Sequence, residues 1–228
     1  MDGAECNVRV PVRLTQAIDN VMDNLHERGD DVSGAAATEW WQRGPVDGVS
    51  AVLQPVAHIL LQIGESVDEM TVTLTESQWN AKPAGIASAA FHVRHITGVI
   101  DRLFAYARAT PLTDQQLAAL RAEGDGLAIA DVPTVLRALR TRIDAAVDEL
   151  RTIDQSALGE WRGVGRANLP STVIGCLVHG AEHGMRHVGQ LSVTVRIVRA
   201  GVGTGIEAAP DPDVTRSFPD RSRGTHEP

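Results

Sequence analysis

Apolar residues recur at alternating three- and four-residue steps along four long stretches, the period of a helix that buries one stripe. Over residues 49–74 the stripe includes Val52, Val56, Leu60, Ile63, Val67 and Leu74. Over 86–108 it runs through Ala89, Val93, Ile96, Ile100 and Leu103, and over 132–153 through Leu136, Leu139, Ile143, Val147 and Leu150. Over 170–199 it holds Ile174, Leu177, Ala181, Gly184, Val188, Leu191 and Val195 without a slip. Four such rods, joined by one short link and two longer connections, predict an all-α protein built as a four-helix bundle. Thr113 is a good capping residue for a shorter helix ending near Ala122. Strand signals are weak throughout, with no alternating β-branched run. Residues 154–169 therefore read as a glycine-punctuated loop, and Thr75 to Gly85 as a second loop carrying Trp79.

The pattern divides the chain into a bundle over residues 46–199, an irregular N-terminal extension over 1–45 and a tail over 200–228. Val12 to Glu27 has helical spacing within the extension. The adjacent Trp40 and Trp41 are expected to plug one end of the core. From Gly201 onward four prolines and four glycines predict disorder. Aromatics are only 4% of the chain, so the core must come from Leu, Ile, Val and Ala, which suits packed helices. A net charge of -8 argues against a nucleic-acid backbone as partner. No apolar run approaches the ~18 residues needed to cross a bilayer, and no signal-peptide pattern opens the chain. A cytoplasmic setting is the expectation. Cys6 and Cys176 stand far apart without the spacing of a redox or zinc pair.

The chemistry concentrates in residues 179–191. His179, His183 and His187 follow at four-residue steps, each about 40° beyond a full helical turn, so their rings stack on one side. Neighbours four apart can grip one metal ion. The competing reading is a wet polar face, which three of eight histidines within nine residues makes less economical. A third ligand must come from another helix, and the second offers His92 or His95. Three neutral imidazoles would leave a dication's charge uncancelled and a coordination position open, as catalytic sites do. Glu182, Arg186 and Gln190 lie within a turn of the pair and are candidates to orient ligands or hold substrate. Trp161 and Arg166, from the loop before the last helix, are candidates to cover the site. A haem between two histidines is the rival cofactor, but glycines stand where bulky residues would pack the ring. His58, alone on the first helix, reads as structural.

The run Glu182-His183-Gly184-Met185-Arg186-His187-Val188-Gly189-Gln190 resembles the H-x-x-x-H-x-G-Q signature of DinB-type proteins, a superfamily of metal-binding four-helix bundles. Phe91-His92-Val93-Arg94-His95-Ile96 is similar to the segment of that family's second helix that carries the remaining ligand. The resemblance covers roughly residues 46–199. It implies His95, His183 and His187 as ligands, His92 and His179 as neighbours, a divalent ion (commonly zinc or nickel), and often a homodimer. It also implies a small-molecule substrate. Relatives include S-transferases and isomerases that use a low-molecular-weight thiol such as mycothiol, and metal-dependent hydrolases. Lys82 is the only lysine among 21 basic residues, a bias of GC-rich hosts in which mycothiol is the expected thiol. The contrasting expectation is a metal-stabilised bundle that binds partners without turnover.

Overall fold

The computed structural model describes residues 38–201. The helix expected over 12–27, Cys6 and the proline-rich tail lie outside the described residues. Four long helices make the bundle: α1 (Gln54–Thr71), α3 (Ala89–Ala107), α5 (Val132–Thr152) and α6 (Val173–Arg199). Two short ones, α2 (Glu76–Asn80) and α4 (Asp114–Ala122), lie in the connections. Local chemistry sets the starts. Pro55 and Pro133 occupy the first turns of α1 and α5, where a missing N–H goes unnoticed. Ser88 and Thr172 accept hydrogen bonds from the backbone N–H of Phe91 and Gly175, capping α3 and α6. No helix among the described residues is long and apolar enough to cross a membrane.

α1 and α3 each pack on both α5 and α6, so α1 stands diagonally across the bundle from α3, and α5 from α6. A tight turn cannot join diagonal partners. The expected short link between α1 and α3 is therefore absent: residues 72–88 and 153–172 span the two diagonals, and residues 108–131, which carry α4, join the neighbours α3 and α5. The core between the helices is fully buried at Leu60, Ile63, Ile96, Ile100, Leu139, Leu150, Leu177 and Leu191. Each such side chain contributes about 1.5–3 kcal/mol by leaving water. Gly184 explains the closeness of α6 to its neighbours. A Cβ there would lie 2.8 Å from Ile63 Cδ1 and 3.7 Å from Ile96 Cγ2. Neighbouring helices, rather than a ligand, thus account for the ~1 kcal/mol that a mid-helix glycine costs.

Two expectations are corrected in the connections and a third ahead of α1. Residues 76–80 are helical rather than loop, because Thr75 and Gln78 form a reciprocal capping box and Trp79 is buried beneath them. Residues 161–172 are a hairpin rather than loop: β1 (Trp161–Val164) pairs antiparallel with β2 (Leu169–Thr172). Gly165 (φ 67°) and Asn168 (φ 50°) supply the left-handed residues of its turn, and Arg162 Nε anchors it to the Ala107 carbonyl at 2.7 Å. The strands are short and contain Gly163 and Pro170, so alternation has no length in which to show. Last, the tryptophan pair does not plug the core. Trp41 is 64% exposed and donates to Glu39, while Trp40 lies under the Arg43 guanidinium on the flank of α1.

Candidate metal centre

His183 and His187 project from one face of α6, one turn apart, and His95 faces them from the antiparallel α3. His183 Nε2 is 3.1 Å from His95 Nε2 and 3.1 Å from His187 Nε2. One ring nitrogen of each of the three lies within 4.8 Å of the other two. All three side chains are half-buried.

The supporting contacts decide which nitrogens point inward. His95 Nδ1 donates to Glu123 Oε2 at 2.7 Å, and Glu123 Oε1 accepts from Arg102 Nη1 at 2.8 Å. Burial alone would push the Glu123 carboxyl up, but the hydrogen bonds from His95 and Arg102 outweigh it and hold the group below its usual range. An ionised carboxylate only accepts, so the proton of a neutral His95 sits on Nδ1 and a lone pair points from Nε2. His92, 3% exposed, sets its Nδ1 3.0 Å from His187 Nδ1. That contact occupies the outward nitrogen of His187 and leaves Nε2 for the centre. Phe91 stacks on the His95 ring, centroids 5.2 Å apart and nearly parallel. His183 Nδ1 is buried with no hydrogen-bond partner among the described residues.

Glu123 was not foreseen from the sequence, where Glu123-Gly124-Asp125-Gly126 reads only as a break. The one available signal is Gly98, in mid-helix four residues before Arg102. A Cβ at 98 would sit 2.5 Å from Arg102 Nη1 and 2.6 Å from Glu123 Oε1, so the ion pair crosses α3 where only hydrogen leaves room. The loop carrying Glu123 is tied down on both sides. Arg94 donates to the Asp125 carbonyl, and the Asn80 side chain exchanges two hydrogen bonds with the Leu127 backbone, at 2.7 and 2.8 Å.

Other candidates fall outside the three-ring set. His179 is exposed, its Nδ1 3.5 Å from Glu182 Oε2. Glu182 in turn pairs with Arg186 along the exposed face of α6. Gln190 is exposed a turn further on. Trp161, 59% exposed on the hairpin, lines a groove beside Tyr106, and Arg166 lies on the hairpin turn. His58 bonds the Gly44 carbonyl at 3.0 Å.

The donor set fits a metal ion. Two nitrogen separations of 3.1 Å are close to the ~3.3 Å edge of a tetrahedron whose metal–nitrogen bonds are ~2.0–2.1 Å. Protons alone serve the cluster poorly. One hydrogen between three facing nitrogens leaves lone pairs opposed, whereas a cation accepts all three. Two of the three rings, His183 and His187, are also held neutral at pH 7. Burial first, then repulsion from His95, His183, His92 and Arg186, lowers His187 to about 4. Burial and then His95 lower His92 to about 4, and His183 is lowered too, by burial and then His95.

A pH dependence follows. Unfolded histidines take up protons near 6.5, whereas His92 and His187 in the fold resist protonation down to about 4. The unfolded state therefore binds more protons throughout that window, and stability falls as pH falls. In chelator, the melting temperature should drop between pH 6.5 and 4, and His92→Asn should flatten the slope. Equal slopes for both proteins would show that these rings do not set it.

The model of the DinB superfamily matches residues 60–191. No curated protein matches the chain. Among solved structures, the crystal structure of a conserved protein from Enterococcus faecalis superposes with a TM-score of 0.56 at 19% identity, covering 66% of this chain and 99% of that one. At that identity the likeness speaks for the fold, an all-α bundle. The family model spans more than half of the sequence and includes all three facing histidines. The chain belongs to the DinB superfamily.

Proposed function

We propose that the protein is a metal-dependent enzyme in which His95, His183 and His187 hold one divalent ion, zinc or nickel. On this reading it moves or isomerises a small electrophilic molecule with a low-molecular-weight thiol of the mycothiol kind. The observation that carries the reading is the set of three facing nitrogens on half-buried rings, with no fourth protein ligand among the described residues. A divalent ion bound there supplies Lewis acidity, enough to ionise a thiol or a water at neutral pH. The chain's own residues do the positioning. Glu123 fixes the tautomer and tilt of His95, His92 braces the outward nitrogen of His187, and Phe91 backs the His95 ring. The apolar walls of α3 and α6 keep bulk water from the rear of the centre, which strengthens every charge interaction at its front.

The test begins with elemental analysis of protein purified without added metal, followed by conjugation of mycothiol to a model electrophile with and without chelator. One ion per chain and conjugation that chelation abolishes is the expected result. Turnover without any thiol would move the reading to a hydrolase using an activated water. A large fall in melting temperature on chelation, with no turnover of either kind, would leave a metal-stabilised bundle that binds without catalysis.

A further inference from the structure

Between the C-terminal half of α3, the amphipathic α4 and the hairpin turn lies a cavity of about 760 Å³, within the ~300–1,000 Å³ usual for small-ligand sites. Three of its lining residues are arginines, Arg102, Arg121 and Arg166, and none is acidic. In a chain of net charge -8, the surface arginines of the bundle are mostly matched to carboxylates: Arg43 to Glu65, Arg140 to Asp68, Arg186 to Glu182. Arg121 and Arg166 have no ion-pair or hydrogen-bond partner among the described residues, although they come from segments far apart in the chain. Arg137 and Arg196 are likewise unmatched, but neither lines this cavity. The remaining wall is apolar. α4 buries none of its residues, and Leu117 and Leu120, 36% and 41% exposed, turn toward the same space beside Tyr106. Two unmatched guanidinium groups above an uncovered leucine pair describe a complement: an anion carried on an apolar body.

We infer that this cavity is a subsite for a small organic carboxylate, with Arg121 and Arg166 gripping the carboxylate and Leu117 and Leu120 seating an aryl or branched acyl body. The inference deepens the proposed function and rests on it in one respect: it names the substrate class, an electrophile bearing a carboxylate. The cavity adjoins the support of the centre, on the Nδ1 side of His95. Arg102 lines the cavity and at the same time holds Glu123, whose other oxygen holds His95 at 2.7 Å. One ion pair therefore forms both the inner wall of the cavity and the support of the centre. Forked guanidinium donors match a carboxylate in two parallel hydrogen bonds, which fixes orientation as well as affinity.

Titration calorimetry with benzoate, with benzamide as its uncharged counterpart and inorganic phosphate as the anion without an apolar body, tests the assignment on the full chain. Benzoate should saturate at one per chain, and neither comparator should bind comparably. Arg121→Ala with Arg166→Ala should weaken benzoate roughly 30-fold or more, the worth of lost charge-assisted hydrogen bonds. Leu117→Ser with Leu120→Ser should weaken it without creating affinity for phosphate. All four side chains are exposed, so the variants should keep the parent's melting temperature. Benzoate affinity unchanged in the arginine variant, benzamide binding equally, or phosphate binding equally would each overturn the subsite. The titration needs no turnover and is repeated in chelator. Loss of the carboxylate site with metal content intact would sink only this inference, and absent metal with benzoate still bound would sink only the enzymatic reading.

Discussion

His183→Ala should yield a protein that no longer carries one metal ion per chain. His183 Nε2 is the nitrogen that both other rings approach to 3.1 Å, so its removal takes the shared corner from the donor set. Binding of a structural zinc is worth ~10–16 kcal/mol over four ligands, so one imidazole accounts for ~3 kcal/mol or a hundredfold in affinity. The fold should survive. The ring is only half-buried, it leaves Nδ1 unpartnered, and burial and His95 both disfavour its charged form. In chelator the variant should therefore melt close to the parent. Competition with a chromogenic chelator measures the affinity, and a variant that keeps one tightly held ion would remove the basis of the assignment.

Glu123→Ala should be the most damaging change outside the three rings, because it acts twice. Arg102 is left with a guanidinium whose side chain is 11% exposed and whose one carboxylate partner among the described residues is gone. Breaking a buried pair in this way costs about 3–5 kcal/mol, and the lower end applies here because Arg102 also borders a water-accessible cavity. His95 loses the acceptor that sets its tautomer, a loss that typically lowers metal affinity about 10–100-fold. Urea unfolding in chelator isolates the first effect, and metal competition at fixed pH isolates the second. Glu123→Gln keeps the shape and an acceptor, so it should retain more stability than affinity. If the alanine variant matched the parent in both measurements, the Arg102–Glu123–His95 chain would be an incidental contact.

The parts of this molecule legible in the sequence are those written in one short stretch. The stripes of α1, α3, α5 and α6 are periodic over many turns, and the His183–His187 spacing needs only helical geometry to become a pair of ligands. His95 was harder, since spacing alone admits His92 equally. Only the packing of α3 on α6 turns His92 behind the centre, where it meets the outer nitrogen of His187. The illegible parts join distant segments. Glu123 has no local pattern, and its role depends on Arg102, on the open face at Gly98, and on the Asn80 bonds that hold its loop. The hairpin escaped notice because its four-residue strands include a glycine and a proline and take their order from Ala107 on another element. The diagonal order of the helices has no signature in periodicity at all, since a stripe tells that a face is buried and not which neighbour covers it.

That order has a consequence for how the protein is made. Translation delivers His95 and Glu123 well before His183 and His187, so a growing chain carries one of the three donors with its carboxylate brace and nothing to complete them. On the proposed reading, capture of an ion waits until the last helix has left the ribosome and settled antiparallel along α3.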